Sequence, residues 1–568
     1  MLAREKALEA VTAERFDLVV IGGGVTGAGV ALDAASRGYS VAIVERHDWA
    51  AGTSSRSSKM VHGGLRYLEN FDLGLVREAL LERQLMVQLA PHLVYPTPFL
   101  VPAFGDDRLS RTLGIGLNMY DVMASTRVGQ ARRDREARIE AGDYWAPDRH
   151  RVVEGAEAVE LIPALGPLEP TGAYLFYDCQ TDDVRLVLTI LGEAERFGAV
   201  CLNRAEVTAL RERDGIAAGV SCTDAESGTG FEVEAENVVN ATGVWADRIR
   251  PEEIHDEAEV PRIAPSRGTH ITLAPEALEL ANAACIVPAG ADRRIFALPW
   301  YGQALVGTTD NDFDGDITHP EPGAEDIDYL LSAINEFFGL DLGLDHISGA
   351  YAGVRPLIST GDPRKSVDIS RKAELYETSS GLLTITGGKL TTWRRMAKQV
   401  VDRMVDRSGR VAPCRTADVP LGMAAGEAEL DPPEGLEESD LPEGYRELLG
   451  FRYGHAGRRV LQIAEADPSL AGPVVSGHPD LLAEAVLAAR LEQARTVGDV
   501  LLRRTRLGLL AAPSLRTAEA VRPVAAALGG ELGWDERRIE AEAEAWLSEA
   551  KREGIDPAAG DGPDRGLP

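Results

Sequence analysis

The chain is predicted to be an α/β protein: a doubly wound domain built on a parallel sheet, interleaved with an antiparallel-sheet domain, and followed by a C-terminal α-helical domain. Three observations predict this. Residues Asp17 to Glu45 read DLVVIGGGVTGAGVALDAASRGYSVAIVE, a strand, a glycine turn, a helix and a second strand. Further along, short apolar strands recur between turns marked by Gly and Pro. Beyond residue 445 the apolar spacing becomes that of helices.

In the first unit, Leu18, Val19, Val20 and Ile21 read as a buried parallel strand. Gly22 permits a tight turn, Gly24 lets backbone approach a pyrophosphate, and Gly27 lets helix and strand pack closely. The helix N-terminus offers N–H groups and a positive dipole end to phosphate. The second strand, Ser40 to Val44, ends on Glu45, twenty-one residues after Gly24 and placed to accept hydrogen bonds from ribose hydroxyls. Strand, helix, strand and acid in this order specify a Rossmann-like dinucleotide site.

At 568 residues the chain can bury a large core. No apolar run reaches the length of a membrane span. The leader MLAREKALEAVTAERF has no signal-peptide core and is expected to fray before the first strand. Cys179, Cys201, Cys222, Cys285 and Cys414 are scattered, which suits a reducing compartment and excludes a CxxC metal or iron–sulfur pattern. A cytoplasmic location is expected. The balance of 59 basic against 90 acidic residues gives a formal charge of −31, which disfavours nucleic acid as a partner. Scarce lysine and dispersed acids favour the surface of a halophilic protein over that of an ordinary acidic enzyme.

After Glu45 comes RHDWAAGTSSRSSKMVHGGLRYLE, small and hydroxyl side chains followed by Lys59, His62, Gly63, Gly64, Arg66 and Tyr67. Small residues let backbone lie against a flat ring. GTSSRSSKMVHGGLRYLE resembles the flavin-contacting segment of the FAD-dependent glycerol-3-phosphate dehydrogenases. The resemblance implies FAD at the glycine motif, with Thr53, Ser54, Ser57, Ser58, Lys59, His62, Gly63 and Gly64 along the flavin and Arg66 and Tyr67 facing the substrate.

Further motifs follow in that family's order. Residues 74 to 90 form an amphipathic helix, and LVYPTPFLVPAF an extended segment expected at a sheet edge because of its prolines. In GAYLFYDCQTDDVRL, Asp178 and Asp182 read as a turn with a helix cap. ENVVNATGVWAD runs a strand into Ala241, Thr242 and Gly243, which pass near the cofactor. RGTH places His270 on a strand, where the resemblance puts it beside the substrate. PWYGQALVGTTD reads as a hairpin. The acids Asp310, Asp312, Asp314 and Glu321 with Gly315 match a calcium-loop pattern, but a strand enters it where a helix is needed and prolines flank Glu321, so no metal is assigned. Arg355, in GVRP, and Arg371 suit a phosphate monoester through the guanidinium's planar fork. GGKLTTWR resembles the closing FAD motif, with Gly387, Gly388, Lys389 and Leu390 near the ring.

The resemblance covers Asp17 to about Leu510. It implies FAD-binding segments at about 14–75, 172–260 and 350–410, and substrate-binding segments at about 76–171 and 261–349. A linker at 421–445, a helical domain at 446–552 and a disordered tail at 553–568 follow. The RRTR run at 503–506 reads as a solvated or interdomain face. The implied reaction is oxidation of sn-glycerol 3-phosphate to dihydroxyacetone phosphate. His270 is the candidate base, Arg355 and Arg371 hold the phosphate, and Arg66, Tyr67 and Lys389 orient the carbinol and stabilise charge. Electrons would pass to a quinone or a partner protein, with peripheral attachment at the cytoplasmic membrane face through a local patch, since the net charge opposes anionic lipid. The alternatives are an oxidase using oxygen and a non-catalytic flavoprotein subunit; the presence of His270, Arg355 and Lys389 argues against the latter. A homodimer is compatible with the sequence but not specified by it.

Overall fold

Two sheets divide the strands, and side-chain parity decides what each one covers. The computed structural model describes residues 1–65, 72–105, 111–124, 149–251, 256–290, 293–359 and 373–560. In the first sheet, strand Arg15–Ile21 lies between Gly230–Asn240 and Val41–Val44, with Leu383–Thr386 and Val200–Leu202 outside them, all parallel. Leu18 and Val20 face a layer containing helices Val25–Ser36, Asp183–Arg196 and Trp393–Ser408. Val19 and Ile21 face the opposite layer. Burial on both faces is why this strand is an unbroken apolar run.

That second layer includes a segment expected to fray. Arg4–Ala13 is a helix, with Ala7 and Val11 fully buried. Arg4 bonds the Asn203 carbonyl and pairs with Asp224, and the Met1 ammonium donates to the Leu491 carbonyl at 2.8 Å. Long-range partners, absent from any local reading, fix it.

The second sheet runs Asn311–Asp312, Ile263–Leu273, Gln303–Gly307, Arg294–Trp300, Ala284–Pro288, Tyr95–Ala103, Gly172–Gln180 and Met60–Val61. Ile347–Ile358 pairs along the whole of Ile263–Leu273. One expectation is corrected here. Tyr95–Ala103 is an interior strand, not an edge: it pairs with Gly172–Gln180 along its length and with Ala284–Pro288 only at Phe99 and Leu100. Pro96, Pro98 and Pro102 share one parity, so their missing donors fall on one side of the strand, and the prolines are tolerated. Met60–Val61, Gly172–Gln180 and Ile347–Ile358 lie in this second sheet, although their segments were grouped with the glycine motif in sequence.

One face of this sheet packs on helix Ala324–Phe338. The other, through Phe99, Phe176, Leu298, Trp300 and Leu305, shares a core with the C-terminal helices. The helical domain is therefore built onto the sheet. Its helices include Tyr445–Tyr453, Arg458–Ala466, Ala483–Glu492, Ala518–Leu532 and Glu536–Glu553. Ala518–Leu532 forms although Pro523 and Gly529-Gly530 interrupt its pattern; the Thr517 cap and buried Val521, Val524 and Leu528 hold it. The 421–445 linker is irregular but anchored by buried Leu430, Leu436 and Leu441. The expected tail begins later than 553: the Ile555 carbonyl accepts from Ala350 N–H at 2.8 Å, while 561–568 lie outside the described residues.

The RRTR run is interdomain and dry. Arg503 and Arg504 both bond Asp48 at 2.7 Å, and Arg503 also pairs with Asp499 at 2.6 Å. Arg506 reaches Asp182 at 3.1 Å and pairs with Asp183. Asp48→Ala would leave two buried guanidinium groups short of a counter-charge, a class of change that costs about 3–5 kcal/mol. Denaturant unfolding should register that loss, and proteolysis should then cleave near the domain junction; unchanged stability would mean the pairs are replaceable by water.

Candidate active site

The glycine turn forms as its sequence requires. Gly22 has φ +108°, and a Cβ there would stand 2.7 Å from the Ala241 carbonyl oxygen. At Gly27 a Cβ would stand 1.9 Å from the Gly22 carbonyl oxygen. These contacts bring the first helix, the first strand and the ATG turn within backbone distance. Beside them is a cavity of about 430 Å³.

Most of the expected cofactor residues line this cavity. Gly22, Gly24 and Glu45 do, as do Thr53, Ser54 and Ser57. Ala241, Thr242 and Gly243 form another wall, and Gly387, Gly388, Lys389 and Leu390 a further one. Glu45 accepts from Gly23 N–H at 2.6 Å and His47 N–H at 2.8 Å. Burial raises its pKa, and those two donors counter part of the rise. Ser54 Oγ accepts from Val25 N–H at 2.9 Å, tying the GTSS loop to the helix start. Arg46, His47, Val207, Thr208, Trp245 and Arg248 also line the cavity and were not anticipated. The hairpin strand Ala205–Arg213 carries Val207 and Thr208, and it buries little beyond Ala205, so its sequence gives little signal.

Other expected cofactor residues stand back from the cavity. Gly27 lies in the first turn of the helix, against the Gly22 carbonyl. Lys59 is fully buried and bonds Asp183 at 2.7 Å and the Ser55 carbonyl at 2.6 Å. His62 N–H meets Thr391 Oγ1 at 3.1 Å, and Gly63 N–H donates to the Tyr120 hydroxyl at 2.9 Å; these bonds stitch the segment down, and neither these residues nor Gly64 line the pocket. Ser58 Oγ is 2.8 Å from His270 Nε2. Asp182 is a helix cap as expected, accepting from Val184 and Arg185 N–H. Asp178 is not a turn residue: it sits mid-strand, pairs with Arg83 and accepts from Tyr120 at 2.8 Å. A buried guanidinium distant in sequence decided its role.

A second cluster sits on the antiparallel sheet. His270 pairs in register with Gly307 on one side and Tyr351 on the other. Its ring stacks on Tyr351 with centroids 4.8 Å apart and planes at 8°. Burial, then the charges of Lys59 and Arg355, push its pKa well below the ordinary value. That depression favours the neutral imidazole. Arg355 bonds Asp310 at 2.9 Å and the Thr309 carbonyl at 3.2 Å. Its neighbour Pro356 lines the cavity, and Val354 O accepts from Thr53 at 2.6 Å, so the two clusters share one strand. Asp310 is thus engaged with Arg355 and Ser266; no group of three metal-ligating side chains occurs among the described residues. Arg66, Tyr67 and Arg371 lie outside the described residues.

The elongated lining, its turn glycines and its two arginines fit a dinucleotide. Gly27→Ala should yield protein without visible flavin absorbance, because the clash is with backbone. Gly192→Ala, where a Cβ meets nothing within 4 Å, should keep it. Flavin retained equally in both would remove the close-packing argument.

Two family models match the chain. Residues 17–394 match the FAD dependent oxidoreductase family, and residues 414–539 match the C-terminal domain of alpha-glycerophosphate oxidase. Glycerol-3-phosphate dehydrogenase 2 of Mycobacterium tuberculosis is 36% identical over 563 residues, covering 98% of this chain and 92% of that protein. The aerobic glycerol-3-phosphate dehydrogenase of Bacillus subtilis is 36% identical over 521 residues, 89% of each. The X-ray structure of the Bacillus halodurans glycerol-3-phosphate dehydrogenase complexed with FAD superposes with a TM-score of 0.74 at 28% identity, covering 98% of this chain and 99% of that one. The fold, the cavity and these likenesses agree: the chain is an enzyme with FAD as cofactor and belongs to the FAD-dependent oxidoreductases, within them to the glycerol-3-phosphate dehydrogenases.

Proposed function

We propose that the enzyme oxidises sn-glycerol 3-phosphate to dihydroxyacetone phosphate and delivers the electrons to a quinone or another respiratory acceptor. The observation that carries the reading is the strand Ile347–Ile358, which joins the cofactor cavity at Pro356 to Arg355 and to the partner of His270. Bound FAD supplies the acceptor for the carbinol hydrogen and its electron pair. Arg355 takes the substrate phosphate; its guanidinium is about a quarter exposed and already oriented by Asp310 and Thr309. A dianion would gain charge-assisted, two-pronged hydrogen bonds there. Arg371, Arg66 and Tyr67 are proposed to complete the substrate pocket. His270, neutral, receives the hydroxyl proton. A weakly basic imidazole suffices, because loss of hydride makes the carbinol proton strongly acidic. Lys389 borders the cavity at the N-terminal turn Leu390–Thr392, where charge and helix dipole stabilise developing negative charge.

A respiratory acceptor is favoured by the aerobic dehydrogenase among the relatives. Oxygen is the second reading, supported by the oxidase C-terminal domain match. No described helix is long and apolar enough to cross a membrane, so contact with a membrane quinone would be peripheral or through a partner protein. The acid-rich surface is read as an adaptation to high ionic strength.

Anaerobic addition of glycerol 3-phosphate should bleach the flavin, while glycerol should not; an unbleached flavin overturns the substrate. Peroxide formed in stoichiometric yield under air would favour the oxidase. Arg355→Ala should raise KM for glycerol 3-phosphate by about 100-fold, the loss of a charge-assisted pair, with FAD retained; an unchanged KM removes Arg355 from the phosphate site. Because the His270 pKa is depressed, its imidazole stays a proton acceptor above that lowered value. Flavin reduction at saturating substrate should hold level from about pH 8 to about pH 6. An acid limb near the ordinary histidine value, absent from His270→Gln, would show that the ring titrates normally.

A further inference from the structure

Neither ring nitrogen of His270 opens onto solvent. Nε2 is engaged by Ser58 Oγ at 2.8 Å. Nδ1 is buried and has no hydrogen-bond partner among the described residues. The ring is also held in place. It stacks on Tyr351, and its Cδ2 lies so close to Gly307 that a Cβ there would stand 2.3 Å away. Tyr351 is fixed in turn: its hydroxyl donates to the Ser57 carbonyl at 2.7 Å, and the Lys59 ammonium lies 4.7 Å from its ring centroid.

The SSK segment distributes three side chains to three places. Ser57 lines the cofactor cavity and donates to Asp183 at 2.7 Å. Lys59 adopts φ +58°, a conformation uncommon for a residue with a side chain, and turns inward to the same carboxylate. Ser58, between them, is partly exposed while His270 is only 3% exposed. A hydroxyl can donate one proton while accepting another. Among the described residues, the hydroxyl within hydrogen-bond reach of the imidazole is that of Ser58.

We propose that Ser58 is the proton relay of the oxidation, standing between the substrate hydroxyl and His270 Nε2. The proposal rests on the reaction proposed above, with His270 as final acceptor. The substrate O–H bond breaks and a new O–H forms on Ser58 Oγ. The original Ser58 O–H breaks and an N–H forms at Nε2. Serine is regenerated, the imidazole gains the proton, and the C2 hydrogen leaves with its electron pair to the cofactor. The charges facing the ring are Lys59 and Arg355, countered by Asp183 and Asp310. Two nearby cations make the imidazolium short-lived, so the proton returns through Ser58 once product has left.

The test compares Ser58→Ala, Ser58→Thr and His270→Gln by anaerobic stopped-flow reduction with glycerol 3-phosphate, at matched FAD content and in mixtures of H2O and D2O. Ser58→Ala should slow reduction by about 100-fold, the lower end of the effect of losing a positioned proton carrier, with little change in KM. Ser58→Thr should recover most of the rate. The wild-type proton inventory should be bowed, with two protons in flight, and that of Ser58→Ala linear. A Ser58→Ala rate within about threefold of wild type beside a slow His270→Gln overturns the relay but leaves the oxidation intact; so does a linear wild-type inventory. Wild-type flavin that glycerol 3-phosphate does not reduce overturns the underlying reaction instead.

Discussion

Two adjacent carboxylates, Asp182 and Asp183, are fully buried at the start of helix Asp183–Arg196. Uncompensated, each would cost several kcal/mol. Their compensation is drawn from three parts of the chain. Lys59 comes from the cofactor loop, Tyr301 from the antiparallel sheet, donating to Asp182 at 3.0 Å, and Arg506 from the helical domain. The helix N-terminus adds backbone donors. Burial alone would raise the Asp182 pKa; the Arg506 charge and those donors outweigh it and hold the carboxyl at about 2. The same pair that needs the helical domain also bonds Ser57, so domain docking and cofactor-loop geometry depend on one another.

The interior and the surface use charge in opposite ways. Outside, acids far exceed bases. Inside, Arg185 pairs with Glu492, Arg204 with Asp499, Arg452 with Asp480 and Glu484, and Arg504 with Asp48. Such pairs add little net stability over apolar packing but penalise misdocking heavily, since a wrong seat strands a charge. Lys59 illustrates the balance: burial lowers its pKa to about 8, with Asp183 opposing the fall and Arg506 adding to it.

The residues that line the cavity were largely legible because the constraints on them are local. A tight turn or a close backbone approach demands glycine at a fixed place, so GGGVTG, ATG and GGK could be read without knowing what lies opposite. The fold class was legible for the same reason, from periodicity and turns. The roles of Lys59, Ser58 and Asp178 were not. Each looks like a member of a polar loop or strand, and each is defined by a partner more than ninety residues away. The leader helix and the interior placement of a proline-rich strand were hidden likewise, their stability coming from surfaces that local sequence does not display.

The cavity walls come from residues near 21–57, 205–208, 241–249 and 385–396. The parallel sheet that carries them is closed by Leu383–Thr386, one of the last strands in the chain. The last wall of this cavity is therefore made only after more than two-thirds of the chain has been synthesised. A chain cut before that strand lacks the wall of the cavity that runs from Ile385 to Met396.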